Sequence, residues 1–218
     1  MGDEEKQFGA SSSTPIVSDV TIVGWGEALE EKDPGTWTHC NQVAAYATVL
    51  ARALNLDEEQ VRAIACGALL HEMGKLEIPK AILRKPAVLT AEERLIMREY
   101  CLRGYEIVRK EASLHEAAEI VRSHRERFDG TGYPGGLKGE AIPLGARIVA
   151  VAEAFEMLVR DRPHRGPLAF AVARGEIQHW SGRMFDPRIV DVFLNVPDED
   201  WAGRVPIYMG TTCHPIGD

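Results

Sequence analysis

The sequence contains no run approaching the ~20 apolar residues that a membrane-spanning helix needs, and its polar, acidic opening from Met1 to Thr14 holds no apolar signal core. These absences exclude a helical membrane protein and predict a cytoplasmic location with no membrane partner. Positive charge is also scarce. Lys and Arg number 25 against 33 Asp and Glu, a net charge of −8, whereas a chain that grips long nucleic acid presents a basic stripe. Long nucleic acid is therefore excluded, although a small phosphate ligand is not. Cysteine is sparse: Cys40, Cys66, Cys101 and Cys213 form no CxxC pair, which removes a zinc knuckle or a disulfide framework and leaves reduced thiols, several of them in the core. No convincing alternating strand occurs either.

What remains is a chain of 218 residues, 45% hydrophobic and 27% charged, an ordinary composition for a globular protein with room for one domain. The expected organisation is a disordered tail over 1–14, a helical domain over 15–200 and a C-terminal tail over 201–218. Val43, Ala47, Leu50 and Leu54 recur at helical spacing after His39. A second helix is expected from about Glu58 to Met73, and a third from the Thr90 cap to about Tyr100. Further helices are expected near 104–111, 114–125, 144–159, 167–180 and 187–194. Between Asp129 and Pro143 five glycines and Pro134 forbid regular structure and leave one long internal loop. The fold class is thus all-α, a helical bundle with a Gly/Pro-rich loop.

Chemistry concentrates at a few positions. His71, Glu72 and Lys75 close the apolar helix that contains Ile64, Ala68 and Leu69. Charges in such a segment either coordinate or pair with something, or stand exposed at a helix end. His39 and His124 also sit among apolar-periodic residues, and Glu153 interrupts an apolar run from Ile148 to Phe155. Cys40 is assigned to the core, because adjacent helical side chains point about 100° apart and cannot readily share an ion with His39. Gly130 to Gly135 matches a dinucleotide-binding GxGxxG by letter, but no strand precedes it and no helix follows, so it is a shaped loop. Arg160, Arg162 and Arg165 follow the Glu153 helix. They form either a phosphate-binding group or a solvated basic turn.

Together these segments resemble the HD-GYP family. From Ala28 to about Leu194 the carriers are Glu31 to Pro34 with His39, His71-Glu-Met-Gly-Lys75 with Ile78-Pro79, Leu83 to Pro86, His124-Arg-Glu-Arg-Phe-Asp-Gly-Thr-Gly-Tyr-Pro134, Ala146 to Ala152, Asp161-Arg-Pro163 and Phe185-Asp-Pro187. The resemblance implies an HD-domain-type helical fold holding two or three iron or manganese ions. These would generate the nucleophile that opens a phosphodiester of cyclic-di-GMP, giving the linear dinucleotide or GMP. It further implies that Gly132, Tyr133 and Pro134 border the substrate groove and dock a diguanylate cyclase domain or another signalling protein.

Carried over position by position, His39, His71, Lys75 and His124 match the family's ligand or active-site residues, with Lys75 the catalytic candidate. Glu72 and Glu153 stand where the family has aspartates, so that His-Glu replaces His-Asp. The extra methylene moves each carboxylate outward by roughly 1.5 Å. The expected metal set is His39, His71, Glu72, His124 and Glu153. Tyr100 and Arg125 replace two family histidines, and Gly35 replaces the glutamate of a third-metal site. Arg125 is expected to stand in for an ion among Glu72, Glu153 and Tyr100, since a fixed cation beside a metal would be repelled by it. Glu156, Arg162 and Arg165 match ligand-contacting positions. The resulting expectation is one or two iron or manganese ions, or none, in a degenerate domain that binds cyclic-di-GMP or a protein partner with weak or no hydrolysis. An active one- or two-metal phosphodiesterase and a nucleotide-independent interaction module are the alternatives.

Overall fold

Helix starts in this chain are written into its capping chemistry. Asp57 and Gln60 form a reciprocal capping box, as do Thr90 and Glu93. Asp186 accepts from the Arg188 amide with Pro187 in the first helical turn. The computed structural model describes residues 19–161 and 166–201. The tail expected at 1–14, residues 202–218 of the expected C-terminal tail, and Arg162 and Arg165 lie outside the described residues. The helices are α1 (Asp19–Lys32), α2 (Thr36–Ala53), α3 (Glu58–Leu70), α4 (Lys80–Leu83), α5 (Ala91–Arg98), α6 (Tyr100–Val108), α7 (His115–Ser123), α8 (Leu144–Val159), α9 (Phe170–His179), α10 (Pro187–Asn195) and α11 (Asp198–Trp201). As expected the fold is all-α. Among the described residues the nearest approach to a sheet is one isolated bridge between Ser181 and Phe185.

α8 runs through the middle of the bundle, with α2, α3 and α7 packed on it and α7 also packed on α3. Its sequence explains the position: Ile148, Val149, Val151, Ala152 and Phe155 are all buried, so it is apolar nearly all round. Phe155 anchors an aromatic group with Tyr46, Phe193 and Trp201 at centroid distances of 5.1 Å each. Trp201, the first residue of the segment taken from sequence as a tail, is thereby 2% exposed.

Several boundaries differ from the sequence expectations, and each difference shapes the site. No helix is expected over α1, although Ile22, Trp25 and Leu29 give it an apolar spacing that Gly24 and Gly26 interrupt. Its Glu30 carboxylate accepts from the amides of Gly35 and Trp37 at 2.7 and 3.0 Å, satisfying the start of α2. α3 stops at Leu70 rather than Met73, and a 3-10 turn follows over Met73–Glu77. The third expected helix ends at Arg98 as α5, and the next begins at Tyr100 as α6, earlier than the expected 104. α7 ends at Ser123, which leaves His124 as its cap and Arg125 beyond it.

Candidate functional site

The end of α3 solves a geometric difficulty. Two neighbours on a regular helix diverge, but Glu72 leaves the helix with φ −96° and ψ 3°, a sparsely populated region common at functional positions. His71 and Glu72 therefore both reach the space between α2, α3 and α8. His39 enters it from α2 and Glu153 from α8, and one donor atom from each of these four buried residues lies within 4.8 Å of all the others.

Each ring in this space is held by a second partner. His39 Nδ1 donates to the Glu156 carboxylate at 2.7 Å, and His71 Nδ1 donates to the Ala68 carbonyl at 2.6 Å. With Nδ1 engaged in this way, each ring has Nε2 left for the cluster, the arrangement usual for metal-binding histidine. His71 Nε2 is fully buried without a hydrogen-bond partner. Burial lowers the His71 pKa, with the nearby His39 ring adding to the effect against the pull of Glu72 and Glu153. An orphaned imidazole lone pair facing two carboxylates fits a divalent cation.

Burial would raise the Glu72 pKa, but Lys75, His71 and Arg125 outweigh it and bring it to about 2. Lys75 Nζ lies 3.1 Å from Glu72 Oε2 and 3.0 Å from Asp33 Oδ2. Burial disfavours its charge, yet Glu72 and Asp33 raise its pKa above the ordinary lysine value. Lys75 in its ammonium form thus pairs with the Glu72 carboxylate.

His124 stands apart from the other expected ligands. Its Nδ1 donates to the Val121 carbonyl at 2.7 Å, and its Nε2 accepts from the Tyr100 hydroxyl at 2.7 Å. The Tyr100 oxygen in turn accepts from Arg125 Nε at 2.6 Å. Burial, His71 and Arg125 all depress the His124 pKa, consistent with a neutral acceptor. Arg125 Nη2 reaches Glu153 Oε1 at 2.6 Å and Glu72 Oε1 at 3.6 Å. Burial opposes its charge, but Glu153 and Glu72 raise its pKa. The Arg125–Tyr100 pair thus occupies the side of the cluster where His124 would otherwise present its lone pair.

Glu156, expected at the ligand, has its Oε2 committed to His39. Cys40 is a buried core thiol whose pKa is pushed well up by burial. Two residues escaped sequence reasoning. Asp33 partners Lys75, and Glu126, 5% exposed, accepts from the amides of Gly135 at 2.6 Å and Leu137 at 3.1 Å. A carboxylate just ahead of a glycine-rich loop is the one available signal, since such a loop has amides to satisfy. A Cβ on Gly132 would lie 2.3 Å from the Arg127 nitrogen, so only glycine lets the loop lie against this strand of chain. Tyr133 packs near Ile78 and Tyr100, with Arg98 over its ring at 5.1 Å.

The chain is an all-helical bundle that gathers two imidazoles and two carboxylates in a buried group able to hold a metal ion. Residues 26–189 match the family model described as HD domain, and the chain belongs to that family. It is 41% identical over 176 residues to the cyclic di-GMP phosphodiesterase response regulator RpfG of Xanthomonas campestris, covering 80% of this chain and 47% of that protein. It is 36% identical over 188 residues to a 3'3'-cGAMP-specific phosphodiesterase 2 of Vibrio cholerae, covering 85% and 36%. The chain thus spans less than half the length of these relatives. Its fold is shared with the HD domain of the phosphodiesterase PgpH of L. monocytogenes, solved with cyclic-di-AMP, at a TM-score of 0.59 and 16% identity, covering 87% of this chain and 99% of that one.

Proposed function

We propose that this domain is a metal-dependent phosphodiesterase for a cyclic dinucleotide, built on a single-ion site formed by His39, His71, Glu72 and Glu153. The observation that carries the reading is the buried, unpartnered Nε2 of His71 within a four-donor cluster. The sequence-based leaning toward lost hydrolysis gains no support from relatives named as phosphodiesterases. A divalent ion bound there supplies Lewis acidity and an activated water. The chain's own part is positional. Glu156 and the Ala68 carbonyl fix the two rings, and Lys75 holds Glu72. Arg125, with 32% of its side chain exposed toward the adjoining cleft, offers a permanent cation to a phosphate. Arg162 and Arg165 are assigned to the remaining phosphate contacts, and Gly132, Tyr133 and Pro134 to the border of the groove.

Anaerobic incubation with cyclic-di-GMP and Fe²⁺ or Mn²⁺, followed by chromatographic separation of the nucleotides, is expected to yield linear product. Stoichiometric metal analysis should return about one ion per chain. The 2.6 Å contact of Arg125 with Glu153 favours a second reading, in which the guanidinium substitutes for the ion and the domain binds the dinucleotide without cutting it. Intact nucleotide throughout, with activity only in an Arg125→His, Tyr100→His variant, would select that reading.

A further inference from the structure

Beside the cluster lies an open cleft of about 460 Å³, a size typical of small-molecule sites. Arg125 and Glu153 line it, as do Glu176 of α9 and Trp180, the residue that caps that helix. Ala150, Ala154 and Met157 of α8 also line it. They share a stripe of α8 with Glu153 and are only partly covered, whereas most of that helix is buried. Four residues separate Glu153 from Met157, about 6 Å along the helix. A flat apolar floor thus leads directly away from a carboxylate of the cluster.

We infer that this cleft seats a purine base of the dinucleotide, stacked at Trp180, and that Glu176 selects guanine. The inference rests on the reading of the domain as one that takes a cyclic dinucleotide. Trp180 is half-buried, with the Arg127 and Arg183 guanidinium carbons 5.7 and 4.9 Å from its ring centroid, and Arg127 also lines the cleft. The guanidiniums lie over the ring, and together with it they form a set of planar groups of the kind on which bases stack. Glu176 is exposed at the cleft wall. A carboxylate accepts simultaneously from the ring N1–H and the 2-amino group of guanine. Adenine offers a lone pair at N1 and has no 2-amino group, so the same carboxylate meets an acceptor there. A site built around such a donor pair rejects the analogue lacking it.

The test is titration calorimetry of the whole chain in Mn²⁺ with cyclic-di-GMP, 3'3'-cGAMP and cyclic-di-AMP, with turnover of each followed by chromatography. Affinity is expected to fall in that order. Glu176→Gln should weaken cyclic-di-GMP binding by at least about tenfold and collapse the order. Trp180→Ala should weaken all three by roughly tenfold or more, with partial rescue in Trp180→Phe and unchanged metal content in every variant. Binding of all three with no order, or an order that survives Glu176→Gln, would overturn the base site and leave the phosphodiesterase reading standing. No binding of any cyclic dinucleotide would overturn both.

Discussion

Replacing Arg125 by alanine would leave Glu153 without its 2.6 Å partner and Tyr100 without its donor. Breaking a buried ion pair from one side costs several kcal/mol. Because the guanidinium keeps 32% of its exposure, the expected loss without metal is nearer to about 2 kcal/mol, seen as a melting temperature lower by roughly 6 °C. Added Mn²⁺ should restore most of it, since the ion then neutralises the same carboxylates. Tyr100→His combined with Arg125→His should raise the bound metal from about one ion to two, counted by elemental analysis. His39, His71, Glu72 and Glu153 were legible in the sequence because a charge inside an apolar run demands a partner. The commitment of His124 to Tyr100 was not legible, because it is decided by a neighbour 24 residues away.

The segments that aim these side chains are the breaks between helices. A Cβ added to Gly74 would lie 1.8 Å from the Tyr100 carbonyl oxygen and 2.6 Å from the Gly104 nitrogen. Gly74→Ala should therefore push α6 away from the 3-10 turn, cost roughly 2 kcal/mol, and loosen Tyr100. Chemical denaturation measures the first effect and metal content in the Tyr100→His, Arg125→His background the second. Glu126→Ala is expected to cost about 2 kcal/mol, because it orphans two loop amides, with faster hydrogen exchange at Gly135 and Leu137 as the local readout. The reach of α8 was readable from Pro143 and its apolar run. A division between α5 and α6 was readable too, but the start of α6 at Tyr100 was not, since that turn packs against Gly74, in a segment that shares no local pattern with it.

For the whole molecule the two buried histidines and Glu72 act in one direction on the acid side. His71 and His124 have depressed pKa values, so the unfolded chain binds their protons first and stability falls as pH drops below about 6.5. Glu72, lowered from 4.5 to about 2, contributes about 3 kcal/mol that is present above pH 4.5 and lost on the way down to pH 2. Melting temperature against pH should decline in these two stages. A Glu72→Gln variant should abolish the second stage, and an unchanged acid limb there would contradict the assignment. The all-helical class was legible from periodicity and from the absence of strand patterns. α1 was passed over, because Gly24 and Gly26 break the pattern that Ile22, Trp25 and Leu29 make.

Arg125 gives the cluster a counter-ion that the cell does not have to supply. A cage of bare carboxylates would unfold when metal ran short, and quality control would clear it. Here the guanidinium already sits on Glu153 and near Glu72, so the folded chain does not depend on metal to neutralise them. On the proposed metal-dependent reading, metal availability then sets the working fraction of a standing pool and leaves its size unchanged.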